Sequence, residues 1–339
     1  MEFIDQVLDP NGDTAITLTH PTSNFLVWDT GEHNPSVSGV ADRHAAGSEE
    51  NVVPGLTSYL VSSTRLGKHS RYYENIFKPD KWREGSKTED GYYALTTQDF
   101  DPEAFLLFQE ILNESQHSLP ERVSPEMLAM LAKIVDYHCC QDAVPVRKWY
   151  AKWIGWMFGR GKPKRYERDA ILWLCIAVVF QDVPEFRRTL KVVLSTCQGW
   201  ICEPEDVPAG VLHLLQAIND ATGDTIEGLL DLLARFRSRD YLCPCVPATS
   251  FSCAALMLGS LIKWMDEVGI PIVEGDENPF PRSSVSKICR DLMRAKKVEF
   301  SEPGFPPAHR CRLANHISPI AVKLQRKVNE LRILKRRFD

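Results

Sequence analysis

The sequence predicts an α+β fold, with strands and helices in the first half of the chain and only helices in the second. Three short segments, residues 13–19, 59–63 and 92–96, are extended runs or alternate between apolar and polar side chains, as half-buried strands do. From Asp169 onward the apolar residues recur at helical spacing, and Pro and Gly separate the segments. The two halves therefore favour different kinds of secondary structure.

The composition is ordinary for a soluble globular protein. The chain has 339 residues, of which 44% are hydrophobic and 25% are charged, and its formal net charge is −5 at pH 7. This charge provides no general attraction to nucleic acid or to anionic membranes. The longest apolar run, Ala170–Phe180, is too short to cross a bilayer, and the first residues lack the basic start of a signal peptide. We expect an intracellular protein, in the cytoplasm or the nucleus, whose ten scattered cysteines are mostly reduced.

The predicted elements divide the chain into two domains. Residues 1–155 contain the strands, residues 156–168 are expected to form a linker, and residues 169–339 form the helical domain. Residues 30–53 are expected to be a flexible insertion, because their few apolar side chains cannot offset the entropy lost on ordering. The Gly159-Arg-Gly-Lys run in the linker does not have the spacing of a phosphate-binding loop.

The N-terminal segment carries apolar side chains at helical spacing, namely Phe3, Ile4, Val7 and Leu8. This pattern is compatible with a short helix, but a frayed terminus is the favoured interpretation. A two-turn helix is not stable alone in water, so it would pack on its own domain or on a second copy of the chain. Residues Asp13–Thr19 and Phe25–Trp28 are then predicted to pair as a hairpin.

The segment from Tyr59 to Leu112 has the strongest pattern in the first half. A strand at Tyr59–Ser63 leads into a predicted helix whose buried face contains Leu66, Tyr73, Ile76 and Phe77. A second strand covers Tyr92–Thr96, and Asp99 or Asp101 then caps a helix with Pro102 in its first turn. A further helix is predicted to start at Ser124-Pro-Glu.

The order of these elements carries a resemblance to a known family. The chain has, in order, a strand, a helix, the sequence Trp82-Arg-Glu-Gly, a second strand and a helix that begins Asp-x-x-Ala-Phe. This order resembles the BTB/POZ domain in the form common among fungal proteins of uncharacterised function. The resemblance covers roughly Asp13 to Trp153. The chain departs from the family at Ser70-Arg-Tyr-Tyr, where Ser-Pro-x-Phe is usual. The order DVPEFRRTL, CPC, FSCAALMLGSLIKWM and NPF also resembles the C-terminal half of the same fungal proteins.

This resemblance implies a protein–protein interaction module with no catalytic residue. In the family an N-terminal helix often contributes to a dimer, which makes Phe3, Ile4, Val7 and Leu8 candidates for self-association as a homodimer. The leading interpretation is a non-enzymatic scaffold protein. A substrate adaptor of a cullin-type ubiquitin ligase is the alternative that the family also implies. The sequence contains no G-x-S-x-G, H-E-x-x-H or G-x-G-x-x-G motif that would indicate an enzyme.

Seven consecutive helices are predicted in the second half, at residues 169–180, from Asp182, from Asp206, and at residues 226–236, 251–268, 283–296 and 317–339. Gly269 is expected to end the helix over 251–268, because glycine readily adopts the left-handed conformation of a C-cap.

One set of residues in this half has metal-binding chemistry. It consists of Cys243, Cys245, Cys253, His309 and Cys311. Thiolates and imidazoles are the usual ligands of tetrahedral zinc, although C-x-C with a distant H-x-C is not a standard finger spacing. Zinc here would be structural and would tie the loop before one helix to the segment before the last. The alternative is that these are separate half-buried thiols and a surface histidine.

The C-terminal segment, Ile317–Asp339, is predicted to be a basic amphipathic helix, with seven Lys or Arg residues against two acids. Its candidate basic residues are Lys323, Arg326, Lys327, Lys335, Arg336 and Arg337. They are expected to form a solvated face of a packed helix, or to bind nuclear import receptors, anionic lipid or nucleic acid. The last alternative suggests a nuclear regulator, but no zinc-finger or homeodomain pattern indicates base readout.

Overall fold

The computed structural model describes residues 4–23, 25–26, 28, 56–78, 82–115, 119–157, 159, 161–270, 283–294 and 309–333. Phe3, the predicted insertion at residues 30–53 and Lys335, Arg336 and Arg337 lie outside the described residues. The described chain has an α+β fold in which helix predominates and the strands form one small mixed sheet. The α+β class predicted from the sequence is therefore confirmed.

The strands of the described residues are Gln6–Val7 (β1), Thr14–Thr19 (β2), Thr57–Val61 (β3) and Tyr93–Gln98 (β4). The helices in the N-terminal half are Ser63–His69 (α1), Arg71–Ile76 (α2), Pro102–Leu112 (α3), Pro125–Tyr137 (α4) and Val144–Trp156 (α5). The helices in the C-terminal half are Arg168–Val179 (α6), Val183–Thr196 (α7), Ala209–Arg237 (α8), Ser250–Val268 (α9), Val285–Met293 (α10) and Leu313–Leu331 (α11).

The sheet has the strand order β1-β3-β2-β4. β2 runs antiparallel to β3, with Thr14 opposite Val61, and parallel to β4, with Thr14 opposite Tyr93. The predicted hairpin partner Phe25–Trp28 is wrong, since Phe25 and Leu26 lie outside the sheet and are buried in the core. Alternation identifies a strand but not its partner, and the antiparallel partner of β2 is β3.

The described part of the N-terminal segment, residues 4–8, forms neither a frayed end nor the alternative short helix. Gln6 and Val7 form an edge strand that runs parallel to β3, and the Asp5 carboxylate accepts a hydrogen bond from the Ser58 backbone N–H at 2.8 Å. A helix of eight residues has too few internal hydrogen bonds to offset its nucleation cost, whereas the edge of β3 offers partners at once. Leu8 packs against the core, and Val7 is 56% exposed.

The predicted helix after β3 is interrupted at Ser70, whose extended backbone separates α1 from α2. The Ser70 hydroxyl accepts a hydrogen bond from the Tyr73 N–H and donates one to the His138 carbonyl at 2.6 Å. The predicted N-caps of α3 and α4 are confirmed, because Asp101 and Ser124 each accept a hydrogen bond from the third residue after them. These caps satisfy N–H groups that the first helical turn leaves without partners.

The helical half follows the predicted segments with one change. The two helices expected from Asp206 and over residues 226–236 form a single helix of 29 residues, α8. The polar run between them is continuous helix because Ala221, Thr222 and Thr225 keep one face buried. At the end of α9, Gly269 has a φ of 78°, which confirms the predicted glycine C-cap.

Packed contacts connect the two halves. The Arg168 guanidinium donates hydrogen bonds to the carbonyls of Phe25 at 2.8 Å and Leu26 at 2.9 Å, and it forms an ion pair with Glu126. In the segment predicted as a linker, the Lys162 ammonium lies 2.6 Å from the Glu185 carboxylate. Lys162 therefore contacts α7, and Arg168 contacts the N-terminal half, through specific polar interactions.

Within the described residues, one stretch, Pro247–Val268, is long and apolar enough to cross a membrane by length and composition. Cys253, Met257, Leu261 and Trp264 place one face of this stretch in the core, where α9 packs against α8. A core helix of a soluble protein passes the same test, so the stretch is weak support for a membrane span.

Candidate metal centre

Four of the five residues predicted to bind zinc come together in the structure. Cys243 lies in the loop after α8, Cys253 in the first turn of α9, and His309 and Cys311 in the segment just before α11. One ligand atom from each residue lies within 4.8 Å of the others, and all four side chains are buried. Within the part of the chain that the structure describes, this is the one group of Cys, His or acidic side chains close enough to share a metal ion.

Two of the distances in this cluster are close to the edge lengths of a zinc tetrahedron. The Cys243 Sγ lies 3.6 Å from the Cys311 Sγ and 3.4 Å from the His309 Nε2. With Zn–S near 2.3 Å and Zn–N near 2.05 Å, tetrahedral geometry places two sulfurs about 3.8 Å apart and a sulfur and a nitrogen about 3.6 Å apart. Small movements of these side chains are sufficient to accommodate the ion.

The loop that carries Cys243 is held by its own hydrogen bonds. The Ser250 hydroxyl accepts a hydrogen bond from the Cys243 backbone N–H at 3.0 Å and donates one to the Pro247 carbonyl at 2.5 Å. The Val246 N–H points at the Cys243 Sγ, at 3.4 Å. The ligand loop is therefore fixed by the first residue of α9, the same helix that supplies Cys253.

The thiols of the cluster differ in their acidity. Burial alone raises the pKa of Cys243, but N–H groups of Val246 and Cys245 and the thiol of Cys311 outweigh this effect and bring the pKa down to about 6. Burial raises the pKa of Cys311 and of Cys253. One thiolate is therefore favoured at neutral pH, and a bound metal would deprotonate the remaining thiols.

Cys245, the fifth predicted ligand, has a different position. Its Sγ lies 3.5 Å from the Cys311 Sγ, but the residue is exposed and does not belong to the group of four. The sequence predicts the set of candidates, and the structure distinguishes four buried ligands from one peripheral thiol. Sequence analysis missed the two supporting residues, Ser250 and Tyr241, whose hydroxyl lies 3.5 Å from the Cys253 Sγ. Their closeness in sequence to the cysteines is the signal that could have identified them.

The basic residues of the C-terminal helix are partly neutralised. The ammonium groups of Lys323 and Lys327 lie 2.8 Å and 2.6 Å from the Asp224 carboxylate on α8, and the Arg326 Nε lies 3.8 Å from Glu330. Hydrogen bonds from Lys323 and Lys327 lower the pKa of Asp224. Lys323 and Lys327 therefore attach α11 to α8, whereas Arg326 pairs within α11.

Comparison with known proteins adds no relative. No protein-family model matches the chain, and neither the curated proteins nor the solved structures give a significant match.

Proposed function

We propose that this chain is a non-enzymatic protein–protein interaction protein, in which a BTB/POZ-like N-terminal domain binds partners and a structural zinc centre stabilises the helical half. The proposed zinc centre is supported by the convergence of four side chains, those of Cys243, Cys253, His309 and Cys311. Three sulfurs and one nitrogen fill all four positions of a zinc tetrahedron, whereas a catalytic zinc keeps one position for water or substrate. A closed site of this kind holds elements together.

The first test is the metal content of the purified full-length protein. We expect one zinc per chain by elemental analysis, and Co²⁺ in its place should give the intense visible absorption of tetrahedral thiolate coordination. Cys243→Ser should abolish both signals, whereas Cys289→Ser, which changes a buried cysteine on α10, should leave them unchanged. A metal-free protein that binds neither ion would refute the metal centre.

The proposed protein–protein interaction function is supported by the N-terminal half of the chain. The resemblance to BTB/POZ domains is based on an order of elements, and the described chain has its elements in that order: β3, α1 and α2, the turn at Arg83–Gly85, β4 and α3. Such domains act by binding other proteins. The test is affinity purification of the full chain with mass spectrometry, compared with a purification of Phe105→Asp, which removes a buried core ring.

Partners that are enriched with the unaltered protein and lost with Phe105→Asp would support an interaction function. A cullin among them would favour the adaptor alternative, whereas its absence together with other specific partners would favour a scaffold. Identical protein sets in both purifications would contradict the proposal.

Self-association is proposed through the edge strand β1. Val7 is 56% exposed on this strand, and its outer edge is open to pairing with a second copy in the described structure. Val7→Asp should convert a dimer to a monomer without unfolding, as light scattering and circular dichroism would show. Leu8 packs against the core, so Leu8→Asp should instead destabilise the domain. A monomer at micromolar concentration for the unaltered protein would contradict self-association.

A further inference from the structure

Cys245 is an exposed thiol at the edge of the candidate metal centre. All ten cysteines lie within the described residues, and two of them, Cys202 and Cys245, are exposed. Cys202 lies in the loop between α7 and α8, whereas Cys245 lies in the loop that also supplies Cys243. Because the oxidation of a thiol depends on access from solvent, a small oxidant meets this cluster first at Cys245.

A second thiol lies close enough to react with Cys245. The Cys245 Sγ lies 3.5 Å from the Cys311 Sγ, although the two residues are 66 positions apart in the chain. The two sulfurs would have to approach by about 1.5 Å to reach the roughly 2.05 Å of a disulfide bond. The Cys245 side chain is at the surface, so it can turn toward Cys311 without displacing core residues.

Cys243 is the other cysteine of this loop, and it is placed less favourably for a bond to Cys245. Its backbone N–H donates to the Ser250 hydroxyl at 3.0 Å, which fixes this part of the loop. Its sulfur faces the buried side of the cluster, 3.4 Å from the His309 Nε2 and 3.6 Å from the Cys311 Sγ. The Cys311 sulfur therefore touches a buried candidate ligand on one side and the exposed thiol on the other.

We propose that Cys245 is a site of peroxide oxidation and that it forms a disulfide with Cys311, which opens the metal centre. Hydrogen peroxide oxidises the Cys245 thiol to a sulfenic acid and releases one water. The Cys311 sulfur then attacks the sulfenic sulfur as a thiolate and forms the S–S bond. The departing hydroxide takes up one proton and leaves as the second water. Each sulfur loses one electron, and these two electrons reduce the peroxide.

The consequence for the metal rests on the zinc centre proposed above, whereas the disulfide itself does not require a metal. The thiolate is the form of cysteine that binds metal, so a disulfide removes Cys311 from the ligand set. Cys243, Cys253 and His309 would remain, and three ligands hold zinc more weakly than four. Cys245, which is outside the group of four, would thus determine by its oxidation state whether zinc is retained.

The experiment treats the full-length protein with a modest excess of hydrogen peroxide and follows zinc release with a chromogenic chelator. Mass spectrometry of the same samples maps the disulfides. We expect loss of the one zinc per chain together with a linked Cys245–Cys311 peptide pair, and a phosphine reductant with added zinc should restore the metal. Zinc loss without this disulfide, or with Cys243 linked to Cys245 or to Cys311 instead, would overturn the proposal.

The result also separates this proposal from the zinc centre on which it rests. A protein that holds no zinc but forms the Cys245–Cys311 disulfide would refute the metal centre and uphold the oxidation site. A protein that holds zinc and keeps both thiols free after peroxide would uphold the metal centre and refute the oxidation site.

Two variants test whether Cys245 is the point of entry. Cys245→Ser keeps the four buried ligands, so it should hold one zinc per chain before treatment. It should lose zinc to peroxide at least about tenfold more slowly than the unaltered protein, because susceptibility follows exposure. Cys202→Ser removes the other exposed thiol and should lose zinc as fast as the unaltered protein. Equal rates in Cys245→Ser and the unaltered protein, or loss of zinc from untreated Cys245→Ser, would overturn the proposal.

Discussion

The chain contains two buried histidines that share a local sequence, His138-Cys139-Cys140 and His309-Arg310-Cys311, yet their surroundings differ completely. His138 is 1% exposed, and its ring lies among aromatic rings, with the Tyr73 centroid at 5.1 Å and the Phe108 centroid at 4.8 Å. His309 is 8% exposed, and its Nε2 lies 3.4 Å from the Cys243 sulfur. The same H-x-C spacing serves an aromatic core in one half and a cluster of thiols in the other.

The difference shows that H-x-C spacing alone does not make a metal site. The Cys140 thiol contacts the Val135 carbonyl at 3.6 Å, on the helix that precedes it. Cys311 instead meets Cys243, which comes from a loop 68 residues earlier. The candidate metal site therefore depends on long-range convergence, and the local H-x-C pattern supplies only half of the candidate ligands.

The largest effect is expected from His309→Ala. Apparent zinc-binding free energies of structural sites are about 10–16 kcal/mol at pH 7, and loss of one of four ligands removes a large part of this. We expect the zinc content to fall from one per chain to near zero and the Tm to drop by roughly 10 °C or more, since about 1 kcal/mol corresponds to a few degrees at this size. Elemental analysis and calorimetry measure both.

The matched control is His138→Phe, which changes the other buried histidine. It should retain one zinc per chain, because no thiol cluster surrounds it among the described residues. If both variants lose zinc equally, the metal loss reflects general unfolding and the contrast between the two histidines fails.

Phe105→Asp should have the next largest effect. Phe105 is fully buried, packs edge-on against Tyr59 at 5.5 Å, and lies 6.3 Å from the His138 ring. A charge placed there has no partner and should cost several kcal/mol, a large share of the roughly 5–15 kcal/mol that stabilises a domain. Circular dichroism should show a lower Tm. Glu103→Ala, at an exposed position on the same helix, should change it little; an unchanged Tm for Phe105→Asp would mean that this ring is not a core contact.

Much of the fold could be predicted from local patterns. Ser124 and Asp182, at predicted helix starts, cap α4 and α7, and Asp101, one of the two candidates with Asp99, caps α3, because capping involves residues three apart in sequence. The partner of β2 could not be predicted in this way, since Phe25–Trp28 and Thr57–Val61 both carry apolar side chains. The interruption at Ser70 was missed because its hydroxyl is held by the His138 carbonyl, 68 residues away. The edge strand at the N-terminus was predicted neither by the frayed-terminus interpretation nor by the alternative helix, because periodicity alone does not reveal an open sheet edge.

The candidate site was predicted by residue type and not by geometry. Cys243, Cys253, His309 and Cys311 were identified as a set, but nothing in the sequence separates them from Cys245. The approach of Cys245 to Cys311 has no sequence signal, since it joins segments that are 66 residues apart. Convergence of this kind depends on tertiary packing, which short-range patterns do not contain.

A smaller effect is expected from acid, and it distinguishes the surroundings of His138. Burial lowers the pKa of His138 from 6.5 to about 4. The unfolded chain therefore binds more protons between these values, so stability from this residue is full above pH 6.5 and falls as the pH decreases toward 4, by about 3 kcal/mol in total. Urea unfolding of the protein and of His138→Phe across this range measures the effect.

His138→Phe keeps the aromatic packing and removes the titrating ring, so its stability should fall less between pH 6.5 and 4. The Ile134 carbonyl keeps a partner in this variant, because the backbone N–H of residue 138 also donates to it at 3.0 Å. Parallel pH profiles for the two proteins would show that His138 accepts its proton in the folded state without a penalty.

The smallest effect is expected at Cys245, and it defines the limit of the metal centre. The Cys245 sulfur lies only 3.5 Å from the Cys311 sulfur, as near as the Cys243 sulfur does at 3.6 Å, so distance to one ligand does not separate the two residues. Exposure distinguishes the two residues, since Cys245 is exposed whereas the four clustered candidate ligands, including Cys243, are buried. Cys245→Ser should therefore retain one zinc per chain and change the free energy of unfolding by no more than about 0.5 kcal/mol, as for most surface substitutions. Cys253→Ser, which changes a cysteine eight residues later, should lose the metal. The opposite result, loss of zinc in Cys245→Ser and retention in Cys253→Ser, would mean that Cys245 and not Cys253 is the fourth ligand. The ion would then lie nearer the surface, and its surroundings would differ even more from the buried ring of His138.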